Sequence, residues 1–145
     1  MYKKILVALD GSELAEEALD HAEKLAETFD AEIILLQVIP FMPIYGAPEL
    51  VTPFIVDEKQ KKTAEQYLTN LAEELKKRGL KVTAKVKPGM QVAAELVDLA
   101  KERGVDLIVM CTHGRSGITR WVLGSVAHKV LTRAETPILL VHLKR

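Results

Sequence analysis

The chain has 145 residues, 48% hydrophobic and 28% charged, with twenty basic side chains against twenty acidic ones. That composition fits one globular domain over 1–145, and the neutral balance argues against nucleic acid, whose binding modules carry a basic excess. A single cysteine excludes an internal disulfide, and no apolar run reaches the ~18 residues of a membrane span. The chain opens on Tyr2-Lys3-Lys4 and nothing there resembles a secretory signal, so the expectation is a cytoplasmic protein with no membrane contact.

Ile5 to Leu9 is a continuous apolar run, the pattern of a strand buried on both faces. Asp10-Gly11-Ser12 then turns the chain, with Ser12 the predicted N-cap of a helix that runs to about Phe29 on Leu14, Ala18, Ala22 and Leu25. Ile33 to Val38 is a second buried strand. Residues 39–56 differ in kind: Pro40, Pro43, Pro48, Pro53 and Gly46 break regular structure, yet Phe41, Met42, Ile44, Tyr45 and Phe54 are apolar. The segment reads as a lid or partner surface, or equally as a plain connection.

Asp57 to Arg78 has the stripe of an amphipathic helix (Ala64, Tyr67, Leu68, Leu71, Leu75), closed by Gly79. Lys81 to Lys87 alternates Val82, Ala84 and Val86 with polar residues, as a half-exposed edge strand does, and Pro88-Gly89 is predicted to turn into a third helix that Gly104 stops. Val105 to Cys111 is a buried strand, Thr112 to Gly117 a glycine loop, and Ser125 the predicted N-cap of a helix through Val126, Val130 and Leu131 to about Ala134. Pro137 begins a last strand, Ile138 to Leu143. A strand, a glycine loop and a fresh helix N-terminus together describe an anion-binding corner.

Strand and helix alternate throughout, which implies parallel pairing through right-handed crossovers. Thr112-His113-Gly114, nine residues, then Gly124-Ser125 resembles the signature of the universal stress proteins, and Asp10-Gly11-Ser12 resembles that family's nucleotide-binding branch. The family pattern is Gly, two residues, Gly, nine residues, Gly, then Ser or Thr, and Cys111 stands where its first glycine belongs. The resemblance implies an α/β fold with an open parallel five-stranded sheet of order 3-2-1-4-5 and helices on both faces, the adenine nucleotide alpha hydrolase-like arrangement. In that order the winding reverses between the strands ending at Asp10 and Cys111, where ligands of open sheets sit.

The resemblance further implies ATP or another adenine nucleotide, accompanied by Mg or Mn. Ala8 and Leu9 occupy the matching end of the first strand, and Val38 and Met110 match positions flanking the adenine, although either serves equally as core. Asp10 matches a residue on the sugar and metal side; its alternative is to stabilise its own turn. Gly114 and Gly124 would let backbone close on a phosphate, with the Ser125 hydroxyl and Val126 N–H donating; the bland alternatives are turns and a cap. His113 lies inside the motif, where a lone loop histidine is as readily structural. Cys111 is expected either to crowd the ribose or α-phosphate or to lack a glycine-only backbone angle, so that Cys111→Gly would tighten binding. No G-x-x-x-x-G-K-[ST] loop and no G-x-G-x-x-G fingerprint occurs.

A regulatory, ATP-binding stress-response module is therefore the leading expectation, with no catalytic residue assigned. A slow ATPase or phosphoryl-transfer enzyme using the same crevice, or a ligand-free interaction module, are the alternatives. The last strand, apolar on both faces at an implied sheet edge, predicts a homodimer through Ile138–Leu143.

Overall fold

The computed structural model describes residues 1–43, 54–113 and 123–142. Eleven elements follow one another there: β1 (Lys4–Leu9), α1 (Glu17–Phe29), β2 (Glu32–Pro40), β3 (Met42–Pro43), β4 (Phe54–Ile55), α2 (Glu58–Lys77), β5 (Lys81–Gly89), α3 (Val92–Arg103), β6 (Leu107–Cys111), α4 (Ser125–Arg133) and β7 (Ile138–Val141). Five strands form one parallel sheet in the order β5-β2-β1-β6-β7, which is 3-2-1-4-5 counted along the chain. Alternate side chains of each strand feed two cores. Ile5, Val7, Ile33, Leu35, Leu107 and Val109 pack with α1 and α2 on one face; Leu6, Ile34, Leu36, Ile108 and Met110 pack with α3 and α4 on the other.

Local stop signals behave as the sequence predicts. Gly104 closes α3 in the left-handed region at φ 63°, and Gly79 follows α2 at φ 88°. The Asp57 carboxylate caps α2, accepting the Lys59 and Gln60 N–H groups at 3.0 and 3.2 Å.

Four expectations need correction. The first helix starts at Glu17 rather than beyond Ser12, because residues 13–19 are wound by four successive i→i−3 bonds from Glu16, Glu17, Ala18 and Leu19. Ser12 caps that tight lead-in instead, its hydroxyl accepting the Ala15 N–H at 3.3 Å. Pro88-Gly89 is not a turn: β5 runs through both, which a proline tolerates on an edge strand. Gly124, not Ser125, holds the cap position of α4, for a reason given below. Finally, residues 39–56 are not wholly irregular, since β2 continues to Pro40 and β3 pairs antiparallel with β4, tying the segment's two ends together. The lid reading itself falls on 44–53, outside the described residues, as does Leu143 of the last strand.

Candidate functional site

The register of the sheet makes the site. β1 ends with Leu9 paired to Gln37, whereas β2 continues beside β5 through Val38–Lys87, Ile39–Pro88 and Pro40–Gly89. On its other side β1 lies beside β6, with Val7 paired to Val109, so Cys111 stands level with the end of β1. A notch one strand wide therefore opens beyond Leu9, between the overhang of β2 and the end of β6. Among the described residues the overhang has a strand partner only on its β5 side, so backbone groups of 38–40 face the notch.

Side-chain parity divides the expected site residues. Ala8, Val38, Met110 and Val126 come together on the α3/α4 face. Leu9 and Cys111 point to the opposite face, beneath α1. Cys111 has ordinary strand backbone; among the described residues only Asp30 and glycines adopt positive φ. Its thiol lies 3.3 Å from the Leu14 carbonyl and donates to it, with the Ala15 carbonyl at 3.7 Å. Neither expected cost of Cys111 applies: no glycine-only angle is needed, and the side chain turns away from Val38 and Met110. Burial pushes the thiol pKa up to about 11, with the Glu17 and Asp10 charges adding to the rise, so it is a protonated core group rather than a nucleophile.

Asp10 sits at the mouth of the notch, and its Oδ1 accepts both the Ser12 N–H at 2.9 Å and the Ser12 hydroxyl at 2.5 Å. The turn-stabilising role is thus realised, on one of two carboxylate oxygens. His113 is 9% exposed; its Nδ1 lies 3.2 Å from the Thr112 hydroxyl, and its buried Nε2 has no hydrogen-bond partner among the described residues. Gly114 lies outside the described residues.

Two polar residues escaped the sequence reading. Gln37 is 5% exposed with its Oε1 unpartnered among the described residues, and it faces the α1/α2 side by strand parity. Among the described residues the buried Tyr67 hydroxyl likewise lacks a hydrogen bond of good geometry; burial and the nearby Glu16 and Asp10 carboxylates hold it protonated well above the usual phenol range. One polar side chain inside the apolar run 33–38 was the available signal for Gln37. For Tyr67 there was none, because its position in the α2 stripe is that of any core aromatic.

The family model described as Universal stress protein family matches residues 1–142. The chain belongs to the universal stress protein family. Among its relatives, Universal stress protein MJ0531 of Methanocaldococcus jannaschii is 35% identical, over 97% of this chain and 82% of that protein. Universal stress protein YxiE of Bacillus subtilis is also 35% identical, over 97% of this chain and 99% of its own length. The solved structure of MJ0577 superposes with a TM-score of 0.84 at 34% identity, covering 100% of this chain and 99% of that one. A universal stress protein solved in complex with cAMP superposes with a TM-score of 0.70 at 26% identity, each chain covered to 97%.

In this universal stress protein the start of α4 is pinned against the notch. The Gly124 N–H donates to the Thr112 carbonyl at 2.8 Å, and a Cβ on Gly124 would lie only 2.5 Å from that same oxygen. Glycine is required here by close approach, since its φ of −57° is open to any residue. The first intrahelical bond runs from His128 N–H to the Gly124 carbonyl at 2.9 Å, so the N–H groups of Ser125, Val126 and Ala127 precede the ladder. Ser125 is exposed and makes no cap, leaving its hydroxyl and these N–H groups at the positive end of the helix. The described residues hold no cluster of three or more His, Cys, Asp or Glu side chains suited to a metal ion. A shallow hollow of about 440 Å³ lies at the other, amino end of the sheet, beside Tyr2, Val105, Asp106 and Pro137. There Asp106 is already engaged by the Lys3 and Lys4 N–H groups, at 2.7 and 2.9 Å, which hold its carboxyl below the usual range, so that hollow is not the candidate site.

Proposed function

We propose that this universal stress protein binds an adenine nucleotide, ATP included, in the notch beyond β1, and serves as a regulatory module of the stress response. The observation that carries the reading is the glycine-seated start of α4 beside a strand-wide opening whose backbone groups at 38–40 have no strand partner on that side among the described residues. An anion at that helix start gains both the unladdered N–H groups and the positive dipole end. The similar structure in complex with cAMP supports a nucleotide as the occupant.

The residues fit such a ligand in order along the sheet end. Gly124, Ser125 and Val126, together with Gly114, take the phosphates, and His113, whose Nε2 has no partner among the described residues, offers a further donor. Asp10 offers its second carboxylate oxygen to a ribose hydroxyl or to a divalent ion. The overhang at Val38 reads the base through backbone, with Ala8 and Met110 packing on it, while Leu9 and Cys111 contribute backbone only. A metal, when present, would be held mainly by the phosphates, with Asp10 offering a carboxylate oxygen.

Binding rather than turnover is the better reading, because hydrolysis needs a group to orient water and a positioned counter-charge. The Cys111 thiol is protonated, and Asp10 is partly spent on its own turn. The protein acts as a single-domain, cytoplasmic homodimer, and no helix among the described residues is long and apolar enough to cross a membrane. Gly124→Ala tests the site. The added methyl must push α4 off Thr112, so ATP affinity measured by calorimetry should fall at least about tenfold, one lost charge-assisted contact being worth roughly 1.5–3 kcal/mol. Unchanged affinity in a folded variant refutes the phosphate assignment.

A further inference from the structure

Gln37 is the one polar side chain in the run Ile33–Val38, and its buried Oε1 has no partner among the described residues. A buried amide oxygen without a donor costs stability, so a glutamine kept there calls for an occupant. The ladder to Leu9 sets Gln37 level with the end of β1, on the α1/α2 face and away from Ala8, Val38 and Met110. From α2 the Tyr67 ring packs against the same core, its buried hydroxyl also without a good hydrogen bond among the described residues. Glu16, in the tight lead-in to α1, faces that hydroxyl. After burial, the Glu16 carboxylate contributes most to the raised Tyr67 pKa, and the Asp10 charge adds to it. An amide oxygen, a protonated phenol and a carboxylate are thus brought to the carboxyl end of the sheet, beneath the lead-in. Among the described residues no lysine or arginine forms an ion pair with Asp10, Glu13 or Glu16.

We infer that Gln37, Tyr67 and Glu16 form a site for a monovalent cation, potassium or sodium, on the opposite face of the sheet from the proposed base position and independent of the nucleotide assignment. The Gln37 Oε1 and the Glu16 carboxylate only accept, so their occupant is positive or donates protons. Calcium sites gather several carboxylates and magnesium leans on substrate phosphates. The described residues hold no group of three His, Cys, Asp or Glu side chains suited to a metal ion, and one carboxylate with two neutral oxygens matches a single positive charge. The Tyr67 hydroxyl gives its proton to Glu16 and turns a lone pair to the ion. A water molecule would fill these hydrogen bonds but leave the Asp10, Glu13 and Glu16 charges unopposed. The ion ties the lead-in of α1, and with it the Asp10–Ser12 turn, to β2 and α2.

Thermal unfolding of the nucleotide-free protein in potassium, sodium or tetramethylammonium chloride, at equal ionic strength, tests the site. Tetramethylammonium screens surface charge as the others do, but it is too large to enter and donates no N–H. Potassium or sodium at a hundred times its Kd should raise the wild-type Tm by about 5–10 °C above the tetramethylammonium value. Gln37→Leu, which suits the apolar strand around it, and Tyr67→Phe should each abolish most of that shift. Glu16→Lys, which supplies a tethered ammonium in place of the ion, should melt alike in all three salts and above the wild type in tetramethylammonium. A wild type with one Tm in all three salts holds water there, and the inference falls. It falls equally if the cation effect survives in both Gln37→Leu and Tyr67→Phe, because the ion then binds elsewhere. With no nucleotide present, neither result bears on the notch.

Discussion

Cys111 shows how a single position changes meaning once its neighbours are known. The thiol is enclosed under the lead-in to α1, and burial raises its pKa from 9.0 to about 11. A folded-state pKa above the unfolded one means the folded state holds the proton longer, so the stabilising effect is complete below pH 9 and is lost as pH rises toward 11. The loss is at most about 2–3 kcal/mol. Denaturant titrations at pH 8 and pH 10.5 should show this extra alkaline loss in the wild type and its absence in Cys111→Ala. Equal slopes would mean that the thiol ionises freely. Cys111→Gly should now leave ATP affinity unchanged while costing about 2 kcal/mol of stability, from the cavity and from glycine in a strand. A tighter-binding Cys111→Gly variant would restore the crowding idea that the side-chain direction contradicts.

At the scale of elements, the two sheet edges differ. The outer strand β5 is guarded: Lys81 pairs with Asp30 at 3.1 Å, Thr83 bonds Glu32 at 3.3 Å, and Pro88 sits near its end. By contrast β7 presents Ile138, Leu139, Leu140 and Val141 with no charge among them, three of the four half-buried. An apolar edge with no second strand partner among the described residues invites a second copy, which is the physical basis for the proposed dimer. The Pro137 and Val141 carbonyls face β6, accepting from Ile108 at 2.9 Å and Thr112 at 3.1 Å. By the period of two, Ile138 and Leu140 turn their backbone groups outward. Leu140→Pro should therefore remove an outward donor and leave the β6 ladder intact, giving a monomer in sedimentation velocity where the wild type sediments as a dimer. If the variant keeps the dimer mass with its circular dichroism unchanged, association does not run through this edge.

For the whole molecule, ligand binding and stability are linked. A ligand that binds only the folded state at a hundred times its Kd stabilises it by about 2.7 kcal/mol. For a chain of this size that corresponds to a rise in Tm of about 5–10 °C. Saturating ATP should produce such a shift in a thermal scan, and Gly124→Ala should show little of it. A wild-type Tm insensitive to millimolar ATP would count against the proposed function.

Much of this architecture is written locally. Apolar runs of strand length, helical stripes and stop glycines mark the five sheet strands and four helices, and alternation alone requires a parallel sheet. The motif at 111–126 and the turn at Asp10 to Ser12 could be placed at strand ends for the same reason: their chemistry is carried by residues adjacent in sequence. Other features follow from partners far away in the chain. The notch exists because β2 outruns β1 beside β5, a matter of relative length and register that no one segment encodes. Gly124 holds the cap position because of the Thr112 carbonyl, and Lys87 meets Val38 across a ladder joining residues 49 positions apart in number. The direction of Cys111 depends on the parity of its strand within the assembled sheet, where one residue of register separates the α1/α2 core from the α3/α4 face. Local propensity and spacing determined which elements form; the packing of distant elements decided which side chains share a face, and therefore which of them can touch a ligand.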